Sequence, residues 1–138
     1  MSSKALSAII RHERAAQEVA GLTHRIGVKL GHCPISRMPA DDESKIDDKG
    51  RIKTHLWHAF RHREPSDCGY GEVGLGEDGV ADALSRGSEF ACRHCKRAYQ
   101  LILRRKDARQ ELGNARRAIR TMGRAALSTQ GAIWERLP

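Results

Sequence analysis

Between Ala5 and Leu30, small and apolar side chains return at every third or fourth position. Ala5, Ile9, His12, Ala16, Val19, Thr23, Ile26 and Leu30 form one such line. Alternating spacings of three and four are what a helix needs to pack along a single seam, so a helix is predicted over residues 1–30. Gly21 and Gly27 weaken its second half by about 1 kcal/mol each relative to alanine. Gly31, followed by Pro34, supplies a stop. The same alternation recurs at Ala98, Leu101, Arg105, Ala108, Leu112, Ala115, Ile119, Met122 and Ala126. It predicts a second helix over 88–127, with Ser88 as its N-cap. Each helix would extend roughly 40–60 Å at about 1.5 Å per residue. Small residues on both lines favour close approach, and antiparallel packing would bring the end of the first helix to the start of the second. Parallel pairing between two copies of the chain, a homodimer, is the competing arrangement.

The insert between them, residues 31–87, is less regular. Residues 51–63 carry Ile52, Leu56, Ala59 and Phe60 on one stripe with Trp57 beside it, which predicts a short helix ended by Pro65. Residues 41–50, from Asp41 to Gly50, read as an acidic, solvated loop. Glycines at 69, 71, 74, 76 and 79 argue against regular structure until a brief helical run at Val80–Leu84. The tail, 128–138, offers Ile133, Trp134 and Leu137 as docking residues. With 138 residues and no internal repeat, a single domain is expected.

Four cysteines change the picture. Cys92 and Cys95 stand three apart at the start of the second helix, where the positive helix end favours thiolates. Antiparallel packing would place Cys33 beside them, and Cys68 completes a four-sulfur set, the ligand number of a closed structural zinc site. His32 and His94 are the alternative ligands should one cysteine be absent from the set. A thiol–disulfide role lacks the strand that precedes such motifs in thioredoxin-like folds. The fold class that follows is all-α: an antiparallel pair of long helices, a short third helix, and irregular Gly-rich loops around a structural zinc site. With no run of about 20 apolar residues, no membrane span is expected. Glu13 and Glu18 speak against a mitochondrial presequence, and a reducing cytoplasm suits the CxxC pair.

Charge then suggests a partner. The net charge is +8, yet residues 31–92 hold eight Lys/Arg against twelve Asp/Glu, while residues 93–138 hold twelve against three. Arg105, Arg109, Arg116, Arg120 and Arg124 fall within about 100° of one another on a helical projection, flanked by Arg104, Lys106 and Arg117. Arg51, Lys53, Arg61 and Arg63 form a second basic group. Guanidinium pairs bidentately with phosphate, so nucleic acid or an acidic protein surface is the expected partner. Only six aromatic residues are present, too few for a base-stacking platform.

Three further patterns carry less. His55, His58 and His62 share one side of the short helix and could serve a metal or a catalytic step, but lack the acidic neighbour of an HExxH motif. Gly69-Tyr70-Gly71-Glu72-Val73-Gly74 matches GxGxxG formally, but no buried strand precedes it, and Glu72, Glu77 and Asp78 would repel a pyrophosphate. Asp67, Glu72, Glu77, Asp78 and Asp82 show no metal-ligand spacing. The expected function is non-enzymatic binding of nucleic acid or of a nucleic-acid-handling complex, as a regulator or accessory factor. A protein-binding adaptor or inhibitor, phage or mobile-element proteins being of this kind, is one alternative, and a metal-dependent nuclease the other.

Overall fold

The computed structural model describes residues 2–38 and 43–135, with side chains through residue 130. Ile133, Trp134 and Leu137, considered above for docking, and the acidic pair Asp41 and Asp42 therefore lie outside the described residues or side chains. The described residues are mostly helical, with four α-helices and one small sheet among them. Its two long helices run antiparallel and pack together, as the seam spacing predicts.

Helix α1 (Ser3–Gly31) starts at Ser2, whose hydroxyl accepts from the Ala5 amide at 3.1 Å. It ends at Gly31, and Pro34 opens a 3-10 turn over Pro34–Arg37. The Ser36 hydroxyl bonds back to the Leu30 carbonyl at 2.9 Å, satisfying one of the acceptors a helix end leaves free. Helix α2 (His55–Arg61) is capped by Thr54, whose hydroxyl accepts from the Trp57 amide. It is shorter at both ends than the 51–63 expected. Helix α3 (Glu77–Ala83) covers the run expected near Val80.

Helix α4 (Arg93–Glu135) begins five residues later than Ser88 suggested and continues past Leu127. Residues 88–92 instead fold back on α3, with Phe90 N–H donating to Ala83 O and Cys92 N–H to Leu84 O, both at 3.0 Å. The helix is capped by sulfur, since the Cys95 amide donates to Cys92 Sγ at 3.4 Å.

One departure from a purely helical chain is a two-stranded antiparallel ladder, β1 (Arg63–Pro65) against β2 (Glu72–Gly74), in the register Glu64↔Val73. Gly69 and Gly71 turn it, at φ +78° and +73°, the left-handed region glycine enters without a Cβ clash. The glycines of the formal GxGxxG thus serve a hairpin. The acidic stretch is more ordered than expected over residues 43–50. The Asp47 carboxylate accepts from the Lys49 and Arg51 amides at 2.9 and 2.8 Å, and Ile46 bridges to Ile52. The Arg51 amide bond is the main reason the Asp47 carboxyl sits below its ordinary value.

Two compact units are present, Met1–Leu22 with Arg104–Pro138, and Thr23–Leu103. In the first, Ala8, Ala15 and Leu22 of α1 and Ala108 and Ala115 of α4 are buried. The seam of α1 therefore runs through Ala5, Ala8, His12, Ala15, Val19 and Leu22, while Ile9 and Thr23 are exposed. Arg11 on α1 pairs with both carboxylate oxygens of Glu111 on α4. Hydrogen bonding from Arg11, with its charge, holds the Glu111 carboxyl below the usual carboxylate range. A carboxyl depressed by folding stabilises the fold above its unfolded-state pKa of about 4.3, and that contribution is lost as pH falls through the folded value. Glu111→Gln should therefore lower the melting midpoint slightly at pH 7 and leave it unchanged near pH 2, as thermal scans at the two pH values would read.

The second unit has its core in Ile26, Leu56, Ala59, Val80, Leu84, Ala98, Tyr99 and Leu101, with Cys33, Cys92 and Cys95 among them. Phe60 meets Tyr99 edge to face at 5.7 Å, fixing α2 by its outer side as well.

Candidate metal centre

Three helix ends of the second unit deliver the parts of a compact donor cluster. Cys33 follows the last turn of α1 at φ −58°, ψ 132°, the extended conformation favoured before a proline. His55 is the first residue of α2. Cys92 caps α4, and Cys95 occupies its first turn. One ligand atom from each of Cys33, His55, Cys92 and Cys95 lies within 4.8 Å of every other, so these four can hold a metal ion. Cys33 Sγ stands 3.1 Å from His55 Nδ1. Both Cys33 and Cys95 are fully buried, Cys92 is 8% exposed, and His55 is half-buried.

Electrostatics sharpen what this cluster requires. Burial pushes the Cys95 thiol far above its ordinary value, with the neighbouring Cys33 adding to the rise against a bond from the Leu56 amide. The Cys95 thiol in this pocket becomes a thiolate only when a cation enters. Burial, then the charge of His58, holds the His55 imidazole below its ordinary value, favouring the neutral form that ligates.

Of the four cysteines, then, three converge, and the fourth position belongs to a histidine. Cys68 lies exposed in the β1–β2 turn, where its sulfur is 3.2 Å from Ser66 Oγ. That hydroxyl draws the Cys68 thiol below its ordinary value. His55 was visible only as the first member of a histidine triplet, and the triplet divides on folding. The His58 ring stacks on Phe90 at 6.2 Å and meets Trp57 edge-on at 5.0 Å, whereas His62 Nε2 bonds Glu64 Oε1 at 3.2 Å. His32 and His94, considered as substitute ligands, lie outside the cluster with ring centroids 5.6 Å apart. Arg37 donates to His32 Nδ1 at 2.8 Å, and Arg93 Nε to His94 Nε2 at 3.5 Å. Burial first, then the charges of Arg93, His32, Lys29 and Arg37, lowers the His94 imidazole.

The basic candidates fall in two places. On α4, Arg109, Arg116, Arg117, Arg120 and Arg124 are exposed, and Arg105 is half-buried at the seam, lowered by burial and then by Arg109. Arg117 bonds Asn114. Among the described residues no carboxylate pairs with Arg109, Arg116, Arg120 or Arg124. In the other unit, Lys53 and Arg61 lie over the Trp57 ring at 4.7 and 4.0 Å from its centroid, a cation–π contact that holds both against α2. Arg51 and Arg63 are exposed, and Arg63 faces Gly74 across the ladder. A cleft of about 240 Å³ lined by Ile35, Met38, Ser44, Lys45, Ile52, Lys53 and His58 brings no carboxylate into its described lining. Among the described residues no helix is long and apolar enough to cross a membrane.

Fold and site together define a helical-hairpin protein with a Cys₃His cluster that could hold a metal ion. No protein-family model, curated protein or solved structure matches this chain, so that description rests on its own residues.

Proposed function

We propose that the protein is a zinc-stabilised helical module that binds nucleic acid without catalysis, as a regulator or accessory factor. The observation that carries this reading is the exposed stripe Arg109, Arg116, Arg120 and Arg124, which has no carboxylate partner among the described residues. A solvated face needs no such excess, and α4 lies in the segment with twelve basic and three acidic residues. Arginine forks suit phosphate oxygens, and a stripe along one helix follows a backbone without reading bases.

Zinc is the metal that best fits three thiolates and an imidazole in a closed, buried set, the donor chemistry of structural sites. With bonds of about 2.0–2.3 Å, tetrahedral zinc separates its ligand atoms by roughly 3.3–3.8 Å, compatible with the 4.8 Å cluster after a small contraction. Its role here is to hold α1, α2 and the start of α4 in place.

Salt titration tests the reading. Four phosphate contacts, one for each arginine of the stripe, give a slope of log K against log salt of about −3.6 on duplex DNA. The triple variant Arg116→Gln, Arg120→Gln, Arg124→Gln should flatten it by about 3 with the metal content unchanged. A chain with no affinity for duplex, single strands or RNA at low salt would discard the proposal.

A protein partner is the second reading, favoured by Leu6, Ile9 and Ile10 on α1, which are 42–50% exposed. Such a contact, with a second copy or with another chain, would survive salt that dissociates a phosphate-driven complex.

A further inference from the structure

We propose that the surface beside the metal cluster is a phosphate-binding cradle, built from Lys29, Arg37, Arg93 and the rings of His32 and His94, that takes a phosphate of a nucleic-acid backbone. The source of that phosphate rests on the reading above; the cradle itself rests on its own geometry. Three separate segments meet there: the last turn of α1, the Pro34–Arg37 turn, and the first turn of α4. Their contacts run in a chain, with Arg37 on His32 at 2.8 Å, His32 against His94 at 5.6 Å, and Arg93 on His94 at 3.5 Å.

Gathering like charges costs free energy unless something of opposite sign repays it. Among the described residues none of Lys29, Arg37 and Arg93 has a carboxylate partner. A divalent ion with three thiolates and a neutral imidazole leaves roughly one net negative charge, which offsets only one of the three cations. The two imidazoles accept from the guanidinium groups, so they orient the forks without neutralising them. The amides of Arg93 and His94, in the first turn of a 43-residue helix, have no acceptor among the described residues. Helix-start amides flanked by arginine forks suit a tetrahedral anion with several oxygens better than a single carboxylate. Cluster ligands Cys33 and Cys92 neighbour His32 and Arg93 in sequence, so metal loading would fix the cradle's shape.

The test uses the metal-loaded full chain, with its histidine imidazoles followed by NMR at fixed pH and ionic strength while inorganic phosphate replaces chloride. Saturable shifts at His32 and His94, with none at His12 and His24, are expected. Arg37→Gln with Arg93→Gln should weaken phosphate binding by about tenfold or more while metal content stays stoichiometric. A short oligonucleotide should displace phosphate from the same signals at lower concentration than an acidic peptide of equal charge. Shifts that never saturate, or that chloride reproduces, would overturn the cradle, and preference for the peptide or for free phosphate would overturn its nucleic-acid ligand. The α4 stripe is assayed separately by the Arg116, Arg120, Arg124 variant: duplex affinity lost there with phosphate shifts intact sinks neither proposal. Absent shifts with stripe-dependent duplex binding sink the cradle alone, and saturable shifts in a chain whose duplex affinity ignores the stripe sink the stripe alone.

Discussion

Cys95→Ser should empty the metal centre and unfold the Thr23–Leu103 unit, the largest effect expected of any single substitution in this chain. Cys95 is fully buried and shares its pocket with Cys33 and Cys92. A serine hydroxyl there is a poor zinc ligand, and three remaining donors leave the closed four-ligand set incomplete. The unit is ill equipped to stand without the ion. Beyond its shares of the long helices it contains two seven-residue helices and a three-residue ladder. Structural zinc supplies about 10–16 kcal/mol of apparent binding free energy, which matches or exceeds the 5–15 kcal/mol by which whole domains are stable. Metal content by mass spectrometry should fall from about one ion per chain to near zero. The near-UV signal of Trp57 should vanish with it, and far-UV helical signal should survive in part. A chelator should reproduce the result on the native chain. Cys68→Ser should change none of these, because its sulfur lies exposed in a turn, and His55→Cys should keep the ion in a four-sulfur set. Full metal loading in the Cys95 variant would mean that the cluster is not the site.

The two long helices and the CxxC pair were legible because each is written locally. A seam needs only its spacing, and Cys92 and Cys95 sit on one turn whatever else the chain does. The seam's register was harder. Ala5, His12, Val19 and Ile26 belong to two overlapping lines, one through Ile9, Ala16 and Thr23, the other through Ala8, Ala15 and Leu22. The second line is the buried one, and Leu22 against Thr23 was the available signal for it. The fourth ligand was legible only as one of three histidines on the short helix, with no signal joining it to the cysteines. His55 reaches the cluster because Leu56 and Ala59 are buried on the face of α2 turned inward, a placement set by tertiary packing rather than by spacing along the chain. Cys68 was favoured by its chemistry alone, yet the turn from Ser66 to Gly71 keeps it in solvent. Ser88 misled for a related reason. Oxygen-bearing caps are the common ones, but here the segment after it is tied to α3, and the sulfur of Cys92 performs the capping. The short ladder left no alternating pattern to detect, since Arg63, Glu64 and Pro65 are all exposed.

Leu101→Ala should then separate packing from chelation. Leu101 is fully buried, two turns beyond Cys95 on α4 and next to the buried Ala98 and Tyr99. Truncation removes the transfer free energy of its branched end and leaves a cavity that a packed core refills only in part; the expected cost is about 2–5 kcal/mol. For a unit of this size each kcal/mol lowers the melting midpoint by about 4–8 °C, so a drop of about 8 °C or more is expected. Metal stoichiometry should stay near one ion per chain, since all four donors are retained. Excess zinc should restore part of the lost midpoint by mass action, whereas the same excess should do nothing for a Cys95 variant that cannot bind. Leu127→Ala, at 70% exposure, serves as the control and should leave the midpoint where it was. Were Leu101→Ala to release the ion at room temperature, the core and the cluster would form one cooperative element, and the metal could no longer be treated as a clamp on an otherwise packed fold.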